Sequence, residues 1–189
     1  MRVMKTNGFT LIEVVLVIVI LGILFAFAIP KISVQSFAAN GAMQSVGTSL
    51  LAAQRLATAR QHNLVVGFDT VAGALRILDD SNNNGIADPG EHVRVIALDN
   101  NIVFGLGGAP PMGNWTKTVT FTKKTLGSLP AVTFHRDGSA SEAGAIYLTT
   151  PRAQAGSGYA TDTRVIQIDR ATARVEWFRA SPPNWVRGF

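Results

Sequence analysis

The sequence predicts an α+β protein in which a long N-terminal helix precedes a C-terminal antiparallel β domain. An uninterrupted run of mostly apolar residues occupies positions 9–29. A second segment, 34–57, repeats apolar residues at steps of three and four, which is typical of a helix with one buried face. From residue 64 onward, short stretches rich in branched and aromatic residues alternate with Gly, Asp and Asn clusters. That alternation favours antiparallel β-structure.

Composition narrows the classes of protein to which the chain could belong. Its 189 residues suit one membrane-proximal segment and one domain with its own core. The chain has no cysteine, which excludes disulfides, thiolate metal sites and a cysteine nucleophile. A net charge of +5 is too small to indicate nucleic-acid binding by itself.

Residues 9–30 are predicted to form a transmembrane helix. At 1.5 Å per residue this length spans about 30 Å, the thickness of the hydrocarbon core. Arg2 and Lys5 precede the run, which predicts a cytoplasmic N-terminus, a single pass through the membrane and a C-terminal domain on the opposite side. Glu13 is out of place in such a helix, because an ionised carboxylate at the bilayer centre costs at least ~2.5 kcal/mol.

Two ordinary explanations of this segment leave Glu13 without a role. One is a cleaved secretory signal peptide, for which residues 26–28 (Ala-Phe-Ala) offer a small-x-small cleavage site. The other is a plain signal anchor. In both, a charge inside the apolar run weakens insertion.

The hexapeptide GFTLIE at positions 8–13 resembles the prepilin signature of type IV pilins and of the pseudopilins of type II secretion. The resemblance implies that residues 1–8 are a leader, which the prepilin peptidase removes by cutting between Gly8 and Phe9. It also implies N-methylation of Phe9, the new N-terminus. Glu13 then becomes the acidic residue used in assembly.

Electrostatics supply a reason for Glu13 after cleavage. The new α-amino group is mostly protonated at neutral pH. Opposite charges in a low dielectric offset their desolvation only when they meet, and removing one leaves the other uncompensated by roughly 3–5 kcal/mol. We therefore interpret Glu13 as a partner for an amine. The resemblance implies that this amine is the one of Phe9 in a neighbouring subunit of a filament. The residues themselves leave the alternative open that it is the amine of Phe9 in the same chain.

Gly22 and Pro30 bracket the region where the helix is expected to kink or melt locally, because glycine is a poor helix former and proline removes a hydrogen bond. Alternatively, Pro30 only marks the membrane exit. Residues 31–62 are predicted to continue as an amphipathic helix into the domain. Its predicted packing face consists of Val34, Phe37, Ala38, Met43, Val46, Leu50, Ala53, Leu56 and Ala57.

Residues 63–189 are predicted to form the β-rich domain. The expected strands are 64–68, 75–78, 93–98, 102–104, 119–121, 132–134, 145–148, 164–168 and 174–178, with the last two forming a terminal hairpin. Residues 105–113 and 153–158 are predicted loops.

This layout, with the segments AVTFHRDGSASEAGAIYLTT and RVIQIDRATARVEW, is similar to the GspH/FimT family of minor pseudopilins and minor pilins. The resemblance implies a helix packed on two small antiparallel sheets and a place near the tip of a periplasmic pseudopilus that supports protein export. The alternative is a FimT/FimU-like minor pilin in pilus assembly or DNA uptake. Expected partners are other pilins or pseudopilins in a filament, the prepilin peptidase and the membrane.

The stretch DSNNNGIADPGE, residues 80–91, fits the calcium-loop template at each defined position. Those positions are Asp80, Asn82, Asn84, Gly85, Ile86 through its carbonyl, Asp88 and Glu91. Only three are carboxylates, which predicts weak calcium affinity, roughly 0.1–1 mM. The alternative is a hairpin loop whose Asp and Asn side chains cap their own backbone.

No set of residues predicts an enzyme, because the three histidines, at 62, 92 and 135, are scattered and no serine sits in a nucleophile elbow. A nucleic-acid surface is the better rival function. Its candidate contacts are Arg170, Arg174, Arg179 and Arg187, which lie among aromatic residues. The alternative is a solvated, aggregation-resistant edge.

Overall fold

The computed structural model describes residues 9–28, 34–99 and 101–188. The chain divides into two compact units, Met1–Val34 and Gln35–Phe189.

Two long helices follow one another along the chain. The helix α1 (Leu11–Ala28) belongs to the first unit, and almost all of α2 (Val34–Arg60) belongs to the second. The cleavage residue Gly8 and the predicted break at Pro30 lie outside the described residues. Within the described part of the chain, no helix is both long enough and apolar enough to cross a membrane.

Two five-stranded antiparallel sheets form the domain and confirm the predicted fold class. The described strands are β1 (Asn63–Asp69), β2 (Ala74–Asp80), β3 (Val93–Ala97), β4 (Val103–Phe104), β5 (Lys124–Thr125), β6 (Leu129–Phe134), β7 (Gly144–Thr149), β8 (Arg164–Ile168), β9 (Val175–Ser181) and β10 (Asn184–Arg187). The first sheet has the order β3-β2-β1-β6-β5, and the second has the order β10-β9-β8-β7-β4.

Three predictions for the β domain were wrong. The predicted loop at 153–158 contains a short helix, α3 (Pro151–Ala155), and a 3₁₀ segment (Ser157–Asp162), because Thr150 caps the helix and Pro151 opens it. The predicted strand 119–121 forms only an isolated bridge from Val119 to Ile146. The hairpin of β8 and β9 is not terminal, since β10 follows it and pairs with β9.

One hydrophobic core is shared by α2 and the inner faces of both sheets. The largest buried side chains of α2 are Met43, Val46 and Leu50. The predicted packing face was wrong at its start, where Val34 and Phe37 are 69% and 66% exposed. Burial on α2 begins at Ala39, so the sheets cover only the rest of the helix.

The helix α2 packs tightly against the second sheet at Gly47. Trp177 of β9 lies against this glycine, and a Cβ atom placed there would collide with the indole ring. Gly47 is buried, whereas Gly41 on the same helix is exposed and has no atom near the position of its missing Cβ. The glycine at 47 therefore determines how closely the helix and the sheet can pack.

We expect Gly47→Ala to lower the free energy of unfolding by about 1–3 kcal/mol, because the added methyl group overpacks the contact with Trp177. The matched control, Gly41→Ala, should raise it by about 0.5–1 kcal/mol, since alanine is the better helix former. Urea unfolding of the full chain in detergent measures both. Equal responses of the two variants would contradict the close contact.

A buried polar network joins α3, the 3₁₀ segment and the start of β8. The carboxylate of Asp162, which is 2% exposed, accepts hydrogen bonds from Thr150 Oγ1 at 2.9 Å and from Arg152 Nε at 2.7 Å. The Arg152 guanidinium also lies 4.5 Å from the centre of the Tyr159 ring. Burial alone would raise the pKa of Asp162, but the hydrogen bonds from Arg152 and Thr150 hold it below its ordinary value.

Because the pKa of Asp162 is lowered in the folded state, the contribution of its carboxylate to the free energy of unfolding depends on pH. It is fully present above the unfolded-state pKa of about 3.9 and disappears as the pH falls through the lower folded-state pKa. We expect Asp162→Asn to cost roughly 1–3 kcal/mol near neutral pH, with the difference from wild type shrinking below about pH 4. Urea unfolding across a pH series measures this. The control is Asp137→Asn, at an exposed carboxylate, which should lower the free energy of unfolding by less. A loss of stability in Asp162→Asn that does not change with pH would contradict the ionised network.

Candidate functional sites

The first turn of α1 is capped by Thr10. Its hydroxyl accepts a hydrogen bond from the backbone N–H of Glu13 at 3.3 Å, and its carbonyl accepts one from Val14 N at 3.2 Å. Glu13 is thus the third residue of the helix, and Thr10 and Glu13 have the spacing of a capping box. Sequence reasoning missed this role, although the Thr-x-x-Glu spacing was its signal.

The Glu13 carboxylate itself is exposed and, among the contacts of the described residues, has neither a hydrogen bond nor an ion pair. Phe9, four residues earlier, is 80% exposed. An acidic side chain in the first turn is favoured by the positive end of the helix dipole. Capping and dipole therefore explain why a glutamate is compatible with this helix, but they leave its charge available to a partner.

The predicted hinge is only half described. Gly22 lies inside α1 with open space around the position of its missing Cβ. Because Pro30 lies outside the described residues, flexibility between the two stays a prediction.

The predicted calcium loop, residues 80–91, lies between β2 and β3 and is stabilised by hydrogen bonds from its own side chains. Asp80 is fully buried, and its carboxylate accepts hydrogen bonds from Asn84 N at 3.0 Å and Gly85 N at 2.8 Å. Glu91 closes the other end, since its two oxygens accept from Ser81 N at 2.9 Å and from Asp88 N at 3.1 Å.

The remaining template residues also bond to one another. The side-chain amides of Asn82 and Asn84 donate to Asp88 Oδ2 at 2.7 and 2.6 Å and hold the pKa of Asp88 below its ordinary value. The carbonyl of Gly85, which has φ +75°, accepts from Thr125 Oγ1 at 2.5 Å. Among the described residues, no three acidic or histidine side chains are grouped as metal ligands. Side-chain capping accounts for this geometry, and calcium binding stays a prediction.

The N-terminal segment and most of the chain are similar to known proteins. Residues 3–29 match the family model for the prokaryotic N-terminal methylation motif. The pilin-like protein PilA1 of Thermus thermophilus is 33% identical over 131 residues, which cover 67% of this chain and 75% of that protein. The chain belongs to the pilin-like proteins. No solved structure matches it.

The four arginines predicted to contact nucleic acid do not form one free cationic surface in this pilin-like chain. Glu176 lies between two of them, at 2.8 Å from Arg174 and 2.5 Å from Arg187. Arg179 pairs across the strands with the buried Arg164, and Arg170 lies in the turn between β8 and β9. Two of the four positive charges are therefore partly neutralised, and DNA contact stays a prediction.

If the loop binds calcium, the melting temperature of the full chain should rise at calcium concentrations above roughly 1 mM. Asp88→Asn should abolish the rise, because it removes a ligand charge while keeping an oxygen that can accept from Asn82 and Asn84. Asp80→Asn should lower the melting temperature even with a chelator present, because an amide nitrogen cannot accept from Gly85 N. A wild-type melting temperature that does not change with calcium would contradict the calcium hypothesis.

Proposed function

We propose that this pilin-like chain is a non-enzymatic subunit of a helical filament, anchored in the inner membrane through residues 9–30. The prepilin peptidase cuts between Gly8 and Phe9, and Phe9 is then N-methylated. The domain at 63–189 and α2 lie in the periplasm. The methylation-motif match at residues 3–29 and the identity to a pilin-like relative support this proposal.

The observation that carries the proposal is the exposed carboxylate of Glu13 in the first turn of α1. Cleavage creates a positive charge four residues before Glu13, on the amine of Phe9. In the membrane a neighbouring subunit's amine and this carboxylate would each be costly alone, so their pairing fixes the axial position of an incoming subunit. The domain contributes surface contacts, while the charge pair supplies the register.

Two machines could use such a subunit. The resemblance to the GspH/FimT family supports a minor pseudopilin near the tip of a type II secretion pseudopilus, which would assist protein export. The name of the Thermus relative, a pilin-like protein, favours the alternative of a minor type IV pilin. Co-purification of the full chain with secretion components or with pilus components distinguishes the two.

We expect Glu13→Gln to leave membrane insertion and leader cleavage intact and to reduce incorporation into the filament by more than about a hundredfold, the equivalent of losing roughly 3–5 kcal/mol from an uncompensated charge. Glutamine keeps the size and capping capacity of glutamate, so the substitution removes only the charge. Recovery of the subunit in the sheared or detergent-stable filament fraction measures the effect.

Thr10→Ala is the matched control, because it removes the hydroxyl that caps Glu13 N, worth about 1 kcal/mol, and keeps the carboxylate. This variant should assemble at close to the wild-type level. Wild-type incorporation of Glu13→Gln, or an equal loss in both variants, would overturn the charge-pair assignment.

A further inference from the structure

The strand β3 is an edge strand of the first sheet and, among the strands that the structure describes, pairs with β2 alone. Asp79 N donates to His92 O at 3.0 Å, and Leu98 N donates to Gly73 O at 2.8 Å. Because ladder bonds alternate along an antiparallel pair, the intervening Arg94 and Ile96 also face β2. The N–H and C=O groups of Val93, Val95 and Ala97 therefore point away from the sheet, and within the described residues they have no hydrogen-bond partner.

The other sheet edges are less open. The edge strands β4 and β5 have two residues each. The strand β10 directly follows Pro183, and its Trp185 packs edge-to-face on Tyr147 while donating to the carbonyl of Pro110 at 3.1 Å. In contrast, β3 has five residues and no proline, and Val93 and Val95 on its outer face are 41% and 53% exposed. Such an edge is a template for a further strand.

A strand added to β3 would find space for its inward side chains between the sheet edge and α2. One cavity, of about 280 Å³, is lined by Arg60, Asp79, His92 and Arg94 among others. A second cavity, of about 400 Å³, lies further along the strand, against Ala42, Val46, Ile96 and Leu98. The first cavity is lined by these four polar side chains and by four apolar residues, Ala53, Leu56, Leu64 and Ile77. The second is lined mostly by apolar residues and also by Ser45 and Asp99.

Among the side chains that line the first cavity are two arginines, Arg60 and Arg94, and one carboxylate, Asp79. Arg60 and His62 both contact the single carboxylate there, that of Asp79. Arg94 forms no ion pair within the described part of the chain. An acidic side chain facing Arg94, with an apolar side chain two positions along facing Ile96, would match both cavities. On the outer face, branched side chains would match Val93 and Val95.

We propose that β3 binds an extended segment of a partner protein, which pairs antiparallel with it as a sixth strand of the sheet. The segment carries a carboxylate opposite Arg94, an apolar residue opposite Ile96 and branched residues on its outer face. A second copy of β3 fits less well, because antiparallel pairing centred on Val95 places the two Arg94 side chains diagonally adjacent, where like charges repel. This binding does not depend on the Glu13 charge pair.

The peptide Ser-Thr-Val-Val-Glu-Thr-Ser tests the proposal, since antiparallel pairing places its second valine opposite Val95 and its glutamate opposite Arg94. Binding of the fluorescently labelled peptide to the full chain in detergent is measured by anisotropy. The same peptide with lysine in place of glutamate is the control. We expect the glutamate peptide to bind about two- to thirtyfold more tightly, because a cross-strand charge pair stabilises the glutamate complex and like charges destabilise the lysine complex by a similar amount.

Two variants separate strand pairing from general attraction. Arg94→Glu should reverse the preference in favour of the lysine peptide. Val95→Pro should abolish binding of both peptides while preserving the β2–β3 ladder, because the N–H that it removes points out of the sheet. Circular dichroism and the melting temperature verify that each variant folds. If Val95→Pro does not fold, a glutamate peptide N-methylated at the residue opposite Val95 replaces it and should not bind wild type.

Several outcomes would overturn the proposal. The proposal is wrong if wild type binds neither peptide or binds both equally. It is also wrong if the N-methylated peptide binds wild type undiminished, or if a folded Val95→Pro variant still binds the peptides. Self-association of the full chain that depends on concentration and is lost in Val95→Pro would assign the edge to a second copy. Because none of these measurements requires filament assembly, they fail independently of Glu13→Gln.

Discussion

The packing of α2 against two separate sheets is the constraint on which the domain depends. Each sheet contributes alternate residues to the same core, and the helix contacts both. At Gly47 the absence of a side chain admits the indole of Trp177. Further toward the start of the helix, Asn40 Oδ1 accepts a hydrogen bond from Nε of the buried Arg164 at 2.7 Å. Hydrophobic contact alone is not directional, so a close approach and a polar anchor are needed to fix where the helix lies.

The same packing leaves two surfaces exposed within residues 9–28, 34–99 and 101–188. Burial on α2 starts only at Ala39, and the side chain of Phe37 before it is 66% exposed. At the first sheet, α2 ends at Arg60 and covers the inner face but not the edge beyond β3. Exposed apolar side chains and open backbone groups are features of surfaces that bind other chains. In the proposed filament, such surfaces would be available for contacts with other subunits.

Sequence patterns predicted the elements whose local and tertiary preferences agree. The strand at 164–168 was predicted with the bounds it has, because its branched residues are buried on both faces. Ile166 and Ile168 belong to the core shared with α2, and Val165 belongs to a second hydrophobic cluster. The segment 119–121 is also rich in branched and aromatic residues but forms only the bridge from Val119 to Ile146. Phe121 is buried there with its ring stacked on that of Phe68, at 5.4 Å between ring centres. The helix start at Pro151 was missed although Thr150 and Pro151 are capping signals. The calcium template could be recognised in the sequence, but the template cannot tell whether Asp80 faces a cation or its own backbone.

The sequence by itself determined the prepilin signature, the position of Glu13 and the α+β class, because these depend on the order of residues along the chain and on local periodicity. Only the tertiary structure decided which apolar positions of α2 are buried, which arginines are paired with Glu176, and which strand is left at the edge. These properties arise from contacts between residues far apart in the chain. Their free energies depend on distance and burial, which local patterns do not encode.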